Sequence, residues 1–151
     1  MATQMFGKTE ICQVAIVVKD IEAAAKAYAE VFGVEVAPAV VTAPEEQSHT
    51  KFCGRPTKAQ AKLAFIPMGS CTLELIEPVG GPSTWKKFLD EHGEGVHHIA
   101  LRIAGMDKVL KFCADHGMPT EQTGDFPGGR YGYVDAIAKL GVNLELLENL
   151  K

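Results

Sequence analysis

Gln13, Glu74, His98 and Glu145 are the residues whose types and spacing could do chemistry in this 151-residue chain. Each is a polar side chain set in an apolar run. His98 stands in Gly95-Val96-His97-His98-Ile99-Ala100-Leu101, and 85 positions earlier Gln13 holds the same place in Ile11-Cys12-Gln13-Val14-Ala15-Ile16-Val17-Val18. Thr72-Leu73-Glu74-Leu75-Ile76-Glu77 matches Asn143-Leu144-Glu145-Leu146-Leu147-Glu148 at an offset of 71. Two independent matches mark an internal duplication, whose pseudo-twofold symmetry would bring the four side chains together. A lone strand histidine is more often a core residue than a ligand; here it has three partners at matching repeat positions. Burying two carboxylates is costly unless something positive neutralises them. A divalent metal ion would do so. One imidazole nitrogen, two carboxylates and an amide oxygen suit Zn, Ni, Co or Mn in five- or six-coordinate geometry with open positions. A closed structural zinc site would instead draw on cysteines.

The elements that must position these residues follow from local pattern. Residues 11–18 form a β-branched run suited to a strand. Asp20 caps an alanine-rich helix over 21–32, and Gly33 closes it. A second strand is expected over 34–41, with Pro38 marking an edge or bulge. Residues 42–59 carry no apolar period and read as a long loop, disordered or a functional lid. Two strands, 62–67 and 71–77, complete a first module over 10–78. A linker over 79–94 contains a short helix, 84–91, capped by Ser83, with Trp85, Phe88 and Leu89 on one face. A second module, 95–149, repeats the order: strand 96–103, helix 106–116, short strand 118–121, a glycine-rich turn through Gly124, Pro127, Gly128 and Gly129, then strands 130–136 and 142–148. All of this reads as one domain.

Strand side chains alternate faces, so Gln13 shares a face with Ala15 and Val17, and His98 with Ala100 and Arg102. By the same rule His97 points away, to packing or a supporting role. Glu77 and Glu148 are expected to end their strands in solvent. Arg102, on the ligand face, could pair a substrate carboxylate or phosphate. The turn with Arg130 and Tyr131, or His49 in the long loop, could close over a ligand.

The segments around these four residues resemble the vicinal oxygen chelate superfamily, whose paired βαβββ modules form a cupped, barrel-like mixed sheet of the α+β class. Residues 11–20, 73–78, 93–101 and 141–147 are most similar to methylmalonyl-CoA epimerase. The Gln, Glu, His, Glu set is the one typical of animal-type glyoxalase I. The resemblance implies that Gln13, Glu74, His98 and Glu145 hold the metal. It also implies an enolate formed beside a chelated carbonyl, the proton moved by Glu145 or, as second choice, Glu74. Arg102, Arg130 and Tyr131 would contact the substrate, an acyl-CoA thioester or a thiol adduct. The expected activity is that of an epimerase, with a glyoxalase-type lyase or a non-catalytic binding protein of the bleomycin-resistance type as alternatives. A homodimer is expected by the same resemblance.

Composition narrows the partners. Net charge is −4 and the 15 lysines and arginines are scattered, so nucleic-acid binding is not expected. No apolar stretch nears the roughly 20 residues of a membrane span, and residues 1–8 lack a signal-peptide pattern, so a cytoplasmic protein is expected. Cys12, Cys53, Cys71 and Cys113 include no Cys-x-x-Cys and read as reduced thiols.

Overall fold

A computed structural model describes residues 4–150. Met1 to Thr3, the start of the stretch read for a leader, and Lys151 lie outside it. Strand β1 (Ile11–Val17) runs into helix α1 (Ile21–Phe32), whose N-cap Asp20 accepts from the Ala23 amide at 3.1 Å and whose C-cap Gly33 is left-handed at φ 65°. There follow β2 (Val40–Val41), α2 (Glu45–Ser48), β3 (Lys51–Phe52), β4 (Arg55–Pro56), β5 (Gln60–Met68), β6 (Cys71–Val79) and α3 (Thr84–His92). The second half comprises β7 (Gly95–Arg102), α4 (Met106–Asp115), β8 (Thr120–Phe126), β9 (Gly129–Val134), α5 (Ile137–Leu140) and β10 (Asn143–Asn149).

The strands form one curled mixed sheet in the order β2-β5-β6-β1-β7-β10-β9-β8-β3-β4. Its centre is the antiparallel pair β1 and β7, the equivalent strands of the two halves, and each is flanked in parallel by the last strand of its own half, β6 or β10. Alternation sorts the core. Val18, Ala64 and Leu75 pack against α1, and Leu101, Val134, Leu144 and Leu146 pack against α4. The other face carries Ala15, Val17, Ala61, Ile76 and Tyr133, packed against Trp85 of α3.

Three expectations are corrected. The strand expected over 34–41 shrinks to its last two residues, which meet only β5; the stretch before them holds Pro38, which has no N–H to pair. The 42–59 segment is ordered rather than an open loop. It carries α2 and the β3–β4 hairpin, and β3 pairs with β8 of the other half, so the first half reaches across the second. Hydroxyls hold it: Ser48 and Thr50 bond each other at 2.8 Å, and Thr57 Oγ1 donates to the Pro82 carbonyl at 2.8 Å. The short strand expected over 118–121 is in fact β8, so Gly124 lies inside a strand rather than in a turn. Glycine is needed there because Tyr131 lies across it, and a Cβ would meet the Tyr131 hydroxyl oxygen at 2.5 Å.

Glu77 and Glu148 do not end in solvent either. The Ile21 amide donates to Glu77 Oε1 at 3.0 Å, and the Gly105 and Met106 amides donate to Glu148. Each half therefore uses the carboxylate three residues after its candidate ligand to hold the start of its helix.

Candidate metal and substrate site

The register of the four central strands builds the site. Across β1 and β7, Gln13 faces Ala100 and Ala15 faces His98. Glu74 lies beside Ala15 and Glu145 beside Ala100. The two polar pairs thus surround two alanines that are fully buried. His98 Nε2 stands 2.9 Å from Glu145 Oε2 and 3.7 Å from Glu74 Oε1. One donor atom each from Glu74, His98 and Glu145 falls within a span of 4.8 Å. Gln13 Oε1, His98 Nε2 and Glu145 Oε2 are buried and have no hydrogen-bond partner among the described residues.

These atoms fit a divalent cation. Neighbouring ligands of an ion with bonds of about 2.1 Å stand roughly 3 Å apart, close to the His98–Glu145 spacing. Burial first, and the Glu145 charge second, push the Glu74 carboxyl well above the usual carboxylate range. A cation among them removes that penalty. The four cysteines stay free and outside the cluster.

The β1–β7 pair contains a β-bulge on each strand, at Cys12 just before Gln13 and at His97 just before His98. The bulge breaks simple alternation, and this overturns the expectation that His97 points away. His97 is fully buried on the site side, with Nδ1 2.8 Å from His98 Nδ1 and Nε2 3.0 Å from Thr84 Oγ1. Burial, then the neighbouring His98, hold its pKa well below the ordinary imidazole value. A third bulge, at Glu121 on β8, brings Glu121 and Gln122 into the buried layer under α3. The Thr84 hydroxyl donates to Glu121 Oε1, and Lys87 Nζ donates to Glu121 Oε2 at 3.0 Å.

Over the four residues lies a cavity of about 550 Å³, lined by Gln13, Glu74 and Glu145 at its base and by Leu63, Phe65 and Leu147 on its walls. Of the residues expected to meet substrate, Arg102 and Tyr131 line it. Arg102 is exposed and forms no ion pair among the described residues. The Tyr131 hydroxyl accepts from Gln122 Nε2 at 3.1 Å. Arg130 is not brought to the cavity: its Nε donates to Glu148 Oε1 at 2.8 Å, which lowers the Glu148 pKa. His49 pairs with Asp125 at 2.9 Å, tying α2 to β8 beside the opening. Tyr133, which the sequence reading passed over, lies against both His97 and His98 and accepts from Trp85 Nε1 at 3.1 Å. Its spacing of two from Tyr131 was the available signal.

A cupped sheet of two similar halves with polar residues at equivalent registers defines a class. Residues 12–134 match the Glyoxalase/Bleomycin resistance protein/Dioxygenase superfamily. The chain belongs to that superfamily. Among curated proteins it is similar to the uncharacterized protein YqjC of Bacillus subtilis, 31% identical over 94 residues, which is 59% of this chain and 66% of that protein's length. Among solved structures it is similar to methylmalonyl-CoA epimerase of Mycobacterium tuberculosis, with TM-score 0.62, 21% identity, and 100% and 93% of the two chains covered. At that identity the likeness speaks for the fold. A methylmalonyl-CoA epimerase in complex with methylmalonyl-CoA and NH4+ gives TM-score 0.62 at 26% identity, covering 93% and 94%. A variant of the Streptomyces coelicolor epimerase in complex with 2-nitronate-propionyl-CoA gives 0.63 at 25%, covering 95% and 99%. Among the described residues no helix is long and apolar enough to cross a membrane.

Proposed function

We propose that the chain is a metal-dependent epimerase that moves a proton on the carbon next to a substrate carbonyl, with an acyl-CoA thioester as substrate. The observation that carries this reading is the convergence of Gln13, Glu74, His98 and Glu145, three of them with orphaned buried atoms, where Gln13, Glu74 and Glu145 open onto an apolar-walled cavity. Those four would hold the ion, which when bound would supply Lewis-acid stabilisation of the negative charge developing on the substrate oxygen. Glu145 is the group assigned to take the proton, and Glu74, on the opposite flank of the central strands, is the second candidate. Arg102 lies two residues beyond Ala100, about 7 Å further along the strand, where it would pair a carboxylate or phosphate of the substrate. Leu63, Phe65 and Leu147 keep water from the reacting carbon. The homodimer and the cytoplasmic location belong to the same proposal; a monomer mass by light scattering at micromolar protein removes the first.

The ligand set favours a second reading, a glyoxalase I-type lyase acting on a thiol hemithioacetal, since it too needs a cation and a mobile proton. A non-catalytic binding protein would have no use for two buried carboxylates. The test is exchange of the α-hydrogen of methylmalonyl-CoA in D2O, followed by NMR or mass spectrometry. Protein loaded with Co2+ or Mn2+ is expected to wash in deuterium, chelator to stop it, and Glu145→Gln to slow it at least 100-fold. No exchange from metal-loaded protein, together with thioester formation from methylglyoxal and a thiol, replaces the first reading by the second.

A further inference from the structure

From His98, one of the four candidate ligands, a polar chain that the proposed proton transfer does not use runs through buried His97, Thr84 and Glu121 to Lys87 at its outer end. We propose that this chain is a positioning device that fixes His98 in the tautomer with a free Nε2, the atom that stands 2.9 Å from Glu145 and 3.7 Å from Glu74. The inference rests on the reading of the site as a cation site.

The hydrogens can be assigned from the outer end inward. Glu121, a carboxylate held by Lys87, only accepts. The Thr84 hydroxyl has one hydrogen and spends it on Glu121 Oε1, so towards His97 Nε2 the hydroxyl oxygen accepts. His97 therefore carries its hydrogen on Nε2, and a neutral ring then offers a lone pair at Nδ1. Across the 2.8 Å contact His98 must donate from its own Nδ1. Its Nε2 is left as a lone pair, the form a metal ion requires. Each link depends on the one before it.

Position supports the same conclusion. His97 and Glu121 both sit at β-bulges, and without those two extra residues alternation would carry them away from α3. Thr84 is held from its other side as well, its amide donating to Gln122 Oε1 at 2.8 Å. Edge-on contacts with Phe88 and Tyr133 hold the His97 ring in its plane. Glu121, Thr84, His97 and His98 are each more than nine-tenths buried, so water does not compete for these bonds.

The test uses the full chain with 15N-labelled histidine. Long-range proton–nitrogen correlation in the metal-free protein reads the tautomer of His98 directly. Co2+ affinity, by competition with a coloured chelator, reads its consequence. Glu121→Gln keeps the shape of the side chain but presents an amide donor to Thr84, which turns the hydroxyl hydrogen towards His97 and reverses the chain. The wild type is expected to show hydrogen on His98 Nδ1, and Glu121→Gln to move it to Nε2. Glu121→Gln and Thr84→Val should weaken Co2+ binding by about 10- to 100-fold, while Thr84→Ser keeps the wild-type pattern and affinity. Thermal unfolding checks that each variant is folded, and Glu121→Gln carries the comparison if Thr84→Val is not. A wild type with hydrogen on His98 Nε2 overturns the proposal. So does a wild type that binds Co2+, but no more tightly than Glu121→Gln and Thr84→Val. A wild type with the expected tautomer that takes up no Co2+ overturns instead the cation reading of the site.

Discussion

The two halves of the molecule place their candidate ligands at the same positions and support them differently. Each contributes one residue from its first strand, Gln13 or His98, and a carboxylate from its last, Glu74 or Glu145, at identical registers. Each precedes its first-strand residue with a bulge. In the second half the bulged residue is His97, linked through Thr84 to Glu121; in the first it is Cys12, whose thiol donates to the Ala100 carbonyl at 3.3 Å. Among the described residues Gln13 therefore has no counterpart of the buried polar chain. Duplication supplies the shared geometry, and departures from it supply the difference in support. An imidazole needs its tautomer fixed to be a ligand, whereas an amide oxygen needs only to face the ion.

The sharpest way to break the comparison is to exchange the two first-strand residues. His98→Gln removes the one nitrogen donor and leaves His97 with no imidazole to orient, so Co2+ affinity should fall by 100-fold or more, beyond the 10- to 100-fold typical of losing a supporting partner. Gln13→His places an unsupported ring opposite and should change affinity by less than about 10-fold. Both are read by the same chelator competition. Equal losses at the two positions would mean that the halves are functionally symmetric.

The carboxylates offer a second contrast, this time in stability. With no cation beside it, Glu74 is held protonated well above the usual range by burial and then by Glu145. A carboxyl whose folded pKa is raised favours folding below its unfolded value, near 4.3, and loses that advantage as pH rises through the folded value. Metal-free Glu74→Gln should therefore be more stable than the wild type at pH 8 and equal to it below about pH 4. Thermal unfolding in chelator checks this. Added Co2+ should raise the wild-type midpoint and leave that of Glu74→Gln almost unmoved. A variant less stable than the wild type at pH 8 in chelator would show that Glu74 is held by structural bonds instead.

What could be read from the sequence was what local pattern and repetition encode. Asp20, the alanine run and Gly33 define α1 to the residue, and the two offsets single out Gln13, Glu74, His98 and Glu145 as candidates before any pairing is known. The bulges at Cys12, His97 and Glu121 could not be read, because a bulge is a mismatch between two strands and is invisible in either one alone. The α2, β3 and β4 segment was hidden for a related reason: its order comes from hydroxyl bonds and from pairing with β8, about 70 residues away, with no apolar period of its own. The helix-capping role of Glu77 and Glu148 was within reach, since both carry the offset of 71 that marked Glu74 and Glu145.

Those two caps give the smallest and cleanest contrast. Glu77 accepts one amide, from Ile21, with Lys62 Nζ 3.4 Å away. Glu148 accepts two amides and the Arg130 guanidinium. Glu77→Ala should cost about 1 kcal/mol, the usual loss of a helix cap. Glu148→Ala should cost about 2–3 kcal/mol, because charged hydrogen bonds are stronger and Arg130 keeps only its 3.6 Å contact with Asp107. The pH dependence separates them further. The Arg130 bond, then the Gly105 amide, lower the Glu148 pKa, so its contribution is present above the unfolded value and disappears as pH falls through the folded one. The penalty of Glu148→Ala, measured by urea unfolding, should accordingly be full at pH 7 and shrink steadily below about pH 4. A penalty that stays constant down to pH 3 would assign the stabilisation to packing of the side chain and not to its charge.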